Sequence, residues 1–315
     1  MATDDSEWRK GADDGGKRIL PLARRPSLAA RSLAMPDLID LHTHSNRSDG
    51  VLSPTALVAR AAARGVSLLA LTDHDTIEGC DEARTACAGV GIRFVPGIEL
   101  STQWRGQAIH VIGLGVDTAS PVLAAQMDEV ARRRHERMLA IGERLASRGR
   151  IAGREIAAAA LAAGGIPTRM HLARALVAQG YADDTQQAFD KWLGRGQPGH
   201  VPIEWPELLD VLPHLAGTCR ATVLAHPHRY RLSGGALRQL ATDFAAAGGA
   251  ALEIDMAGMS PGDRDRIASL ARRQGLAGSA GSDFHDPAVP WNPPGRFAKL
   301  AEGIAPVTER LDDAR

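Results

Sequence analysis

The run "LIDLHTHSNRSDG" (38–50) leads an apolar stretch into His42 and His44, one residue apart, and reaches Asp49 five residues after the second. Imidazole nitrogens and carboxylate oxygens are ligands for borderline divalent cations. The same kind of ending recurs along the chain. "SLLALTD" (67–73) is followed by His74, "IRFVPGIEL" (92–100) places Glu99 at its end, and "AIHVIGLGV" (108–116) carries His110. "ATVLAH" (221–226) ends in His226, and "LAGSAGSD" (276–283) ends in Asp283 with His285 just beyond. Nine such groups exceed what one ion can hold. They suit two or three divalent cations, with Glu99 able to bridge two of them. Clusters of that kind activate water and hold both the attacking and the leaving oxygen in phosphoryl transfer. A structural zinc site would be closed and mostly thiolate, and this set contains no cysteine.

The elements that must position these groups are short apolar strands separated by Ala/Leu/Arg-rich helical stretches. With "ALEID" (251–255) the strand candidates number seven. Continuous apolar strands between helices indicate a mostly parallel sheet with helices outside. Seven strands favour a TIM-like α/β barrel over an open sheet, and the C-terminal strand ends of such a barrel converge on one rim. The first crossover helix has Ser53 as its cap, Pro54 in its first turn and Gly65 as its stop. The alternation breaks at 120–202, where "PVLAAQMDEVARRRHERMLAIGERLASRG", "MHLARALVAQG" and "DTQQAFDKWLGRG" read as helices and no strand is evident. The expected organisation is a barrel at 36–119 and 203–300, a helical insertion domain at 120–202 shaping the substrate pocket, and a tail at 301–315. Residues 1–35 are polar and rich in Gly and Arg without an apolar signal core, and read as a disordered leader.

The 315 residues carry 37 Lys+Arg against 37 Asp+Glu. A net charge of zero argues against a general nucleic-acid coat protein but leaves room for a local basic pocket. Lysine occurs only at Lys10, Lys17, Lys191 and Lys299, so arginine would do most of any phosphate binding. Cys80, Cys87 and Cys219 form no disulfide framework and read as reduced thiols of a cytoplasmic protein. No apolar run is long enough to span a membrane. Neither a membrane nor an obligatory protein partner is expected.

On "DLHTHSNRSDG", "LTDHDT", "PGIEL", "IHVIGLG", "LAHPHR" and "GSDFH" the sequence resembles the PHP family (polymerase and histidinol phosphatase), over Pro36 to Pro294. The resemblance implies a distorted (β/α)7 barrel with a trinuclear metal centre. One ion would take His42, His44, Glu99 and Asp283. A second would share Glu99 and add His110 and His226, and a third would take Asp49, His74 and His285. Manganese is the foremost candidate, ahead of iron, zinc or magnesium. Within the family, "IPTRMHLARALVAQG", "AFDKWLGRGQPGHVP" and "VLAHPHRYRLS" are similar to a bacterial subgroup acting on nucleoside 3′,5′-bisphosphates and short oligonucleotides. The resemblance implies removal of the 3′-phosphate from pAp to leave AMP, with 5′→3′ trimming of short RNA or DNA oligonucleotides as the related reaction.

Residue chemistry agrees with an anionic ligand. Arg132, Arg133 and Arg134 form a run in the long helix, and Arg169 and His171 open another helix after a Pro-Thr turn. A helix N-terminus beside an arginine favours phosphate. His228 and Arg229 directly follow a ligand position. Arg134, Arg169 and His228 are therefore expected to hold phosphates, with Arg169 and His228 taking part in catalysis and His228 placed to serve the leaving 3′-oxygen. The competing readings are a histidinol-phosphate phosphatase, a PHP module of a DNA polymerase, for which the chain lacks length, and a non-enzymatic metal-binding regulator.

Overall fold

The computed structural model describes residues 38–295 and 303–312. The leader expected over 1–35 lies outside the described residues, as do 296–302 and 313–315 at the edges of the barrel and tail. Seven strands form one sheet in chain order: β1 (Leu38–Asp40), β2 (Val66–Leu71), β3 (Arg93–Trp104), β4 (Gln107–Leu114), β5 (Ala221–Leu224), β6 (Ala251–Met256) and β7 (Ala277–Gly281). Leu41 N donates to Ala280 O at 3.1 Å and Asp283 N to His42 O at 2.8 Å, which ties the first strand region to the last and closes a barrel. The helices are α1 (Pro54–Ala63), α2 (Cys80–Val90), α3 (Pro121–Arg144), α4 (Gly153–Ala162), α5 (Arg169–Ala178), α6 (Thr185–Ala188), α7 (Leu208–Thr218), α8 (Gly234–Ala246), α9 (Pro261–Gln274) and α10 (Glu309–Asp312). Helix α1 starts and stops as its sequence signals require: Ser53 accepts from Ala56 N, Pro54 opens it, and Gly65 follows at φ +82°.

One strand departs from the expected parallel course. β4 runs antiparallel to both β3 and β5. β3 and β4 form a hairpin closed by Arg105 and Gly106, both at positive φ (50° and 74°), which is the two-residue turn compatible with strand twist. β3 also extends well past the expected 92–100, so Glu99 sits mid-strand instead of at its end.

The reversal fixes the route of the next segment. β4 delivers the chain to the base of the barrel, where Asp117 N donates to Thr218 O at 2.7 Å and joins the approach to α3 with the end of α7. From there α3 climbs. Its 24 residues span about 36 Å at 1.5 Å per residue, whereas a six-residue strand such as β2 spans only about 20 Å. The helix therefore overshoots the rim. Helices α4 to α6 and two π-helical turns, Leu145–Gly149 and Phe189–Leu193, continue beyond it. They pack around a core of their own that includes Met138, Leu145, Ile156, Leu172 and Leu193. No strand occurs within 120–202 among the described residues.

Inside the barrel, Leu41, Leu68, Ala70, Val95, Ile112 and Val223 form an apolar filling. Side chains alternate across a strand, so the next inward positions toward the rim are Glu99 on β3, His110 on β4 and Glu253 on β6. The base is closed by Val307 and Leu311, which join the same apolar cluster. Their segment is held there by Val307 N donating to Gly278 O at 2.8 Å. No helix among the described residues is long and apolar enough to cross a membrane.

Candidate metal centre

All nine ligand-type side chains singled out in the sequence meet at this rim. His42, His44 and Glu99 are fully buried, and Asp283 is 8% exposed. Nε2 of His42 and Nε2 of His44 are 3.0 Å apart. Glu99 Oε2 lies 3.2 Å from each of them, and Asp283 Oδ1 lies 3.4 Å from His42 Nε2 and 3.2 Å from His44 Nε2. The other Glu99 oxygen, Oε1, is 3.0 Å from His110 Nδ1 and 3.0 Å from His226 Nε2. On the remaining side His285 Nε2 is 3.1 Å from Asp49 Oδ1, and the His285 ring stacks on His44 with centroids 4.1 Å apart. His74 faces two ways: Nδ1 is 3.0 Å from Glu99 Oε2, and Nε2 is 3.9 Å from Asp49 Oδ1. The resemblance put His74 in one group with Asp49 and His285. The geometry lets it serve the Glu99–His110 group as well.

These residues fit divalent cations on a test of bond direction. Ligands about 2.1 Å from a common ion stand roughly 3–3.5 Å from one another, as these atoms do. Hydrogen-bond alignment fails for several of the close pairs. Glu99 Oε2, Asp49 Oδ1 and His74 Nδ1 are buried with no hydrogen-bond partner among the described residues. Lone pairs that approach within 3.2 Å without pointing at each other point at a shared centre. Burial by itself would raise the carboxyls of Glu99, Asp49 and Asp283. The crowded imidazoles reverse this and hold all three well below the usual carboxylate range.

Several residues that sequence reading did not single out hold these groups in place. Glu253 Oε1 receives His42 Nδ1 at 2.9 Å while its Oε2 accepts His226 N at 2.6 Å. A carboxylate behind a histidine fixes the tautomer so that Nε2 faces the centre. His285 Nδ1 is likewise committed to Asp283 O at 2.9 Å. The two aspartates flanking His74 point in different directions. Asp73 accepts from Ser45 N (2.7 Å), Ser45 Oγ (2.6 Å) and Ser48 Oγ (2.6 Å), shaping the loop that carries Asp49. Asp75 accepts from Ser101 N at 2.7 Å and Arg134 Nε at 2.7 Å. Asp75, His226 and Asp283 all adopt positive φ, a conformation that costs non-glycine residues energy and clusters at functional sites.

A cavity of about 180 Å³ opens from Asp49, His74 and His110 toward the segment beyond the rim, where Arg134, Arg137, Thr168, Arg169, Phe189 and Trp205 line it. Arg134 reaches this cavity as expected, but its charge is committed to Asp75 and its Nη2 also donates to Ser101 Oγ at 2.8 Å. Arg132 and Arg133 turn outward to Glu129. Arg169 opens α5 at the cavity, its guanidinium 5.5 Å from the Phe189 ring. Arg137, unremarked in the sequence, joins it. Burial and then the neighbouring charges of Arg169 and Arg134 push Arg137 down to about 9. The Arg137 Nε and Nη2 donate to Val201 O at 3.1 and 2.9 Å. Burial and then the charge of Arg134 push Arg169 down as well, and guanidiniums crowded in this way suit an anion. His171 does not face it as a ligand: its Nδ1 accepts Thr168 N at 3.0 Å and caps α5. His228 lies on the opposite side of the rim, half-buried, with burial, Arg229 and His226 pushing it down to about 4.

A closed seven-stranded barrel whose rim gathers carboxylates and imidazoles around shared centres defines a metal-dependent phosphoesterase, and this chain belongs to the PHP family. The PHP domain model matches residues 40–194. The chain is 41% identical over 272 residues to the 5′-3′ exoribonuclease of Haemophilus influenzae, covering 86% of this chain and 98% of that protein. It is 39% identical over 275 residues to the 3′,5′-nucleoside bisphosphate phosphatase of Chromobacterium violaceum, covering 87% and 96%. A solved structure from Chromobacterium violaceum, described as an amidohydrolase with bound sulfate, superposes with a TM-score of 0.81 at 39% identity, covering 87% of this chain and 96% of that one. A structure from Bifidobacterium adolescentis assigned as a metal-dependent phosphoesterase gives 0.72 at 28% identity, covering 87% and 95%.

Proposed function

We propose that this enzyme removes the 3′-phosphate of nucleoside 3′,5′-bisphosphates such as pAp, and shortens small RNA or DNA oligonucleotides in the 5′→3′ direction by the same hydrolysis. The observation that carries the reading is a ligand-lined rim opening directly into an arginine-lined cavity. His42, His44, Asp49, His74, Glu99, His110, His226, Asp283 and His285 would hold two or three divalent cations, manganese foremost among manganese, iron, zinc and magnesium. Such ions lower the pKa of a water and screen the oxygens of a phosphoryl group.

The chain's own residues do the rest. Arg169 and Arg137 receive the 5′-phosphate at the start of α5, with Arg134 held beside them by Asp75. That positions the 3′-phosphate over the rim, and proximity of this kind supplies much of the rate. His228, which follows the ligand position His226, would hydrogen-bond the departing 3′-oxygen. The bound sulfate described for the Chromobacterium violaceum structure is a phosphate-shaped dianion and supports the anionic-substrate reading. The paired guanidiniums disfavour the ammonium group of histidinol phosphate, the competing substrate. The reduced thiols favour a cytoplasmic enzyme, and nothing in the reading requires a protein partner or a membrane.

The test is phosphate release by the manganese-loaded protein from pAp, 3′-AMP, 5′-AMP and histidinol phosphate side by side. Strong preference for pAp over both monophosphates is expected, and preference for histidinol phosphate would overturn the reading. In the same assay a His228→Asn variant should lose at least tenfold in kcat, in keeping with the usual contribution of a proton-transfer or hydrogen-bonding group. Undiminished turnover removes His228 from the reaction.

A further inference from the structure

Two of the ligand-type histidines, His110 and His226, come from the neighbouring strands β4 and β5, and the ladder between these strands ends irregularly where the histidines stand. Regular antiparallel pairing runs from Leu114 with Ala221 to Val111 with Leu224. The next rung joins His110 to Ala225. In an ordinary hydrogen-bonded rung the two residues exchange both N–H···O bonds. Here one of them is direct, from Ala225 N to His110 O at 3.1 Å. The other passes through the hydroxyl of Tyr230, which accepts His110 N at 2.9 Å and donates to Ala225 O at 2.8 Å. His110 O is the more distant acceptor for that hydroxyl, at 3.4 Å.

The local chain explains how Tyr230 arrives there. His226 adopts φ +32°, which turns the chain away from the course of β5. Pro227–Arg229 form a single 3-10 turn, with Arg229 N donating to His226 O at 2.9 Å. The turn returns Tyr230 to His226, the two rings meeting edge to face with centroids 5.5 Å apart. The remainder of the Tyr230 ring packs on the apolar cluster that includes Val111, Leu224 and Leu252. A hydroxyl set within a rung keeps donor and acceptor further apart than the roughly 2.9 Å of a direct bond, so β4 and β5 open at this point. Immediately beyond the opening, His110 Nδ1 and His226 Nε2 converge on one atom, Glu99 Oε1, each at 3.0 Å. Their rings cross edge to face at 71°, with centroids 5.2 Å apart.

We infer that Tyr230 is a positioning residue for the ion that Glu99 Oε1, His110 and His226 would share, its hydroxyl acting as a spacer in the last rung of β4 and β5 that sets the separation of the two histidines. This rests on the metal ligands given under Proposed function and deepens that reading. The spacer is selective, because Asp49, His74 and His285 come from other loops and do not depend on the rung. Tyr230→Phe removes one oxygen and keeps the ring's packing. The rung must then either close into a direct bond or leave His110 N and Ala225 O unpaired, and both outcomes shift His110 against His226 while Glu99 stays on β3.

The experiment titrates metal-free wild type, Tyr230→Phe, His110→Ala and Asp49→Ala with manganese, counting free ion by electron paramagnetic resonance, and measures the urea midpoint of each. His110→Ala and Asp49→Ala mark which binding step belongs to which group of ligands. The expected result is that Tyr230→Phe weakens the step lost in His110→Ala by roughly 10- to 100-fold, the usual cost of removing a group that orients a ligand. The step lost in Asp49→Ala should keep its wild-type affinity in Tyr230→Phe. Wild-type affinity at every step in Tyr230→Phe overturns the spacer and leaves the metal ligands standing. Equal weakening of every step, with a lowered urea midpoint, also overturns it, since Tyr230 would then serve the fold alone. If His110→Ala binds manganese in the same number and as tightly as wild type, His110 is no ligand, and the ligand assignment falls together with the inference.

Discussion

Glu253 makes two commitments at once. One oxygen fixes the His42 ring and the other accepts the backbone N–H of His226, so a single carboxylate holds the ligand segments that follow β1 and β5. Replacing it by alanine should weaken metal affinity by roughly 10- to 100-fold, the usual cost of removing the partner behind a ligating histidine. Titration against a competing chelator measures this, and an unchanged affinity would show that His42 is held by packing alone. On the proposed reading Arg137 serves the substrate instead. Arg137→Ala should cost about 1.5–3 kcal/mol of transition-state binding, the worth of a charge-assisted hydrogen bond. This appears as at least a tenfold fall in kcat/KM for pAp with little change for 3′-AMP. Equal falls on both substrates would remove Arg137 from the 5′-phosphate. The ligand-type residues could be read from the sequence because histidines and carboxylates stand out at the ends of apolar runs. Glu253, Asp73 and Asp75 could not. In the sequence they are ordinary acids in or beside strands, and only the inward register of β6 or the turn around His74 gives them their tasks. Arg137 was hidden for the opposite reason, as one more arginine on a helix already rich in them.

At the scale of elements, the β3–β4 hairpin was the least visible feature. The residues "STQWRGQ" are mostly polar, and although Ser101, Thr102 and Trp104 are buried, two of these three are polar, so the stretch shows no apolar alternation. The sequence therefore suggested two separate strands where the chain makes one tight turn. The helix starts were plainer, because Ser53, Ser120 and Thr168 are caps with the expected acceptor chemistry. A second junction couples the segment beyond the rim to the first ligand loop. Ile166 N donates to Arg47 O at 2.9 Å, and Arg174 Nη2 donates to Asp49 O at 2.7 Å. Gly165 makes this approach feasible: it adopts φ +68°, and an added Cβ would lie 2.5 Å from Arg47 O. Gly165→Ala should cost about 1–3 kcal/mol from backbone strain and should also raise KM for pAp, since the loop carrying Asp49 and the helix carrying Arg169 part together. A variant with normal KM would show that the two segments hold their places independently.

Within the barrel lumen the site and the apolar filling lie at opposite ends. Polar groups that repel or desolvate one another crowd the rim, while the base is filled with apolar side chains and closed by Val307 and Leu311. Changes at the base should therefore move stability without touching chemistry. Leu311, 6% exposed, should cost about 2 kcal/mol when replaced by alanine, the lower end for a buried leucine. That lowers the urea midpoint but leaves pAp turnover at 25 °C intact. A loss of turnover in the folded variant would mean that the base and the rim are mechanically coupled. The barrel itself was foreseeable from seven apolar runs, whereas closure of its base by a short segment near the C-terminus was not, because Val307 and Leu311 form no periodic pattern long enough to read.

The hydrogen bond between Asp117 and Thr218 makes the excursion from α3 to α7 a handle with both feet on one spot. Everything between them leaves and re-enters the barrel at neighbouring points, far from the ligand cluster. Closing a longer or shorter handle changes the entropy of the fold only slowly with length. The barrel can therefore accept a different set of helices there without re-registering a strand, and the arginine-bearing wall becomes an exchangeable part. Grafting the corresponding handle from another barrel of this kind between Asp117 and Thr218 is a direct route to altering which phosphate ester is recognised while the hydrolytic centre stays as it is.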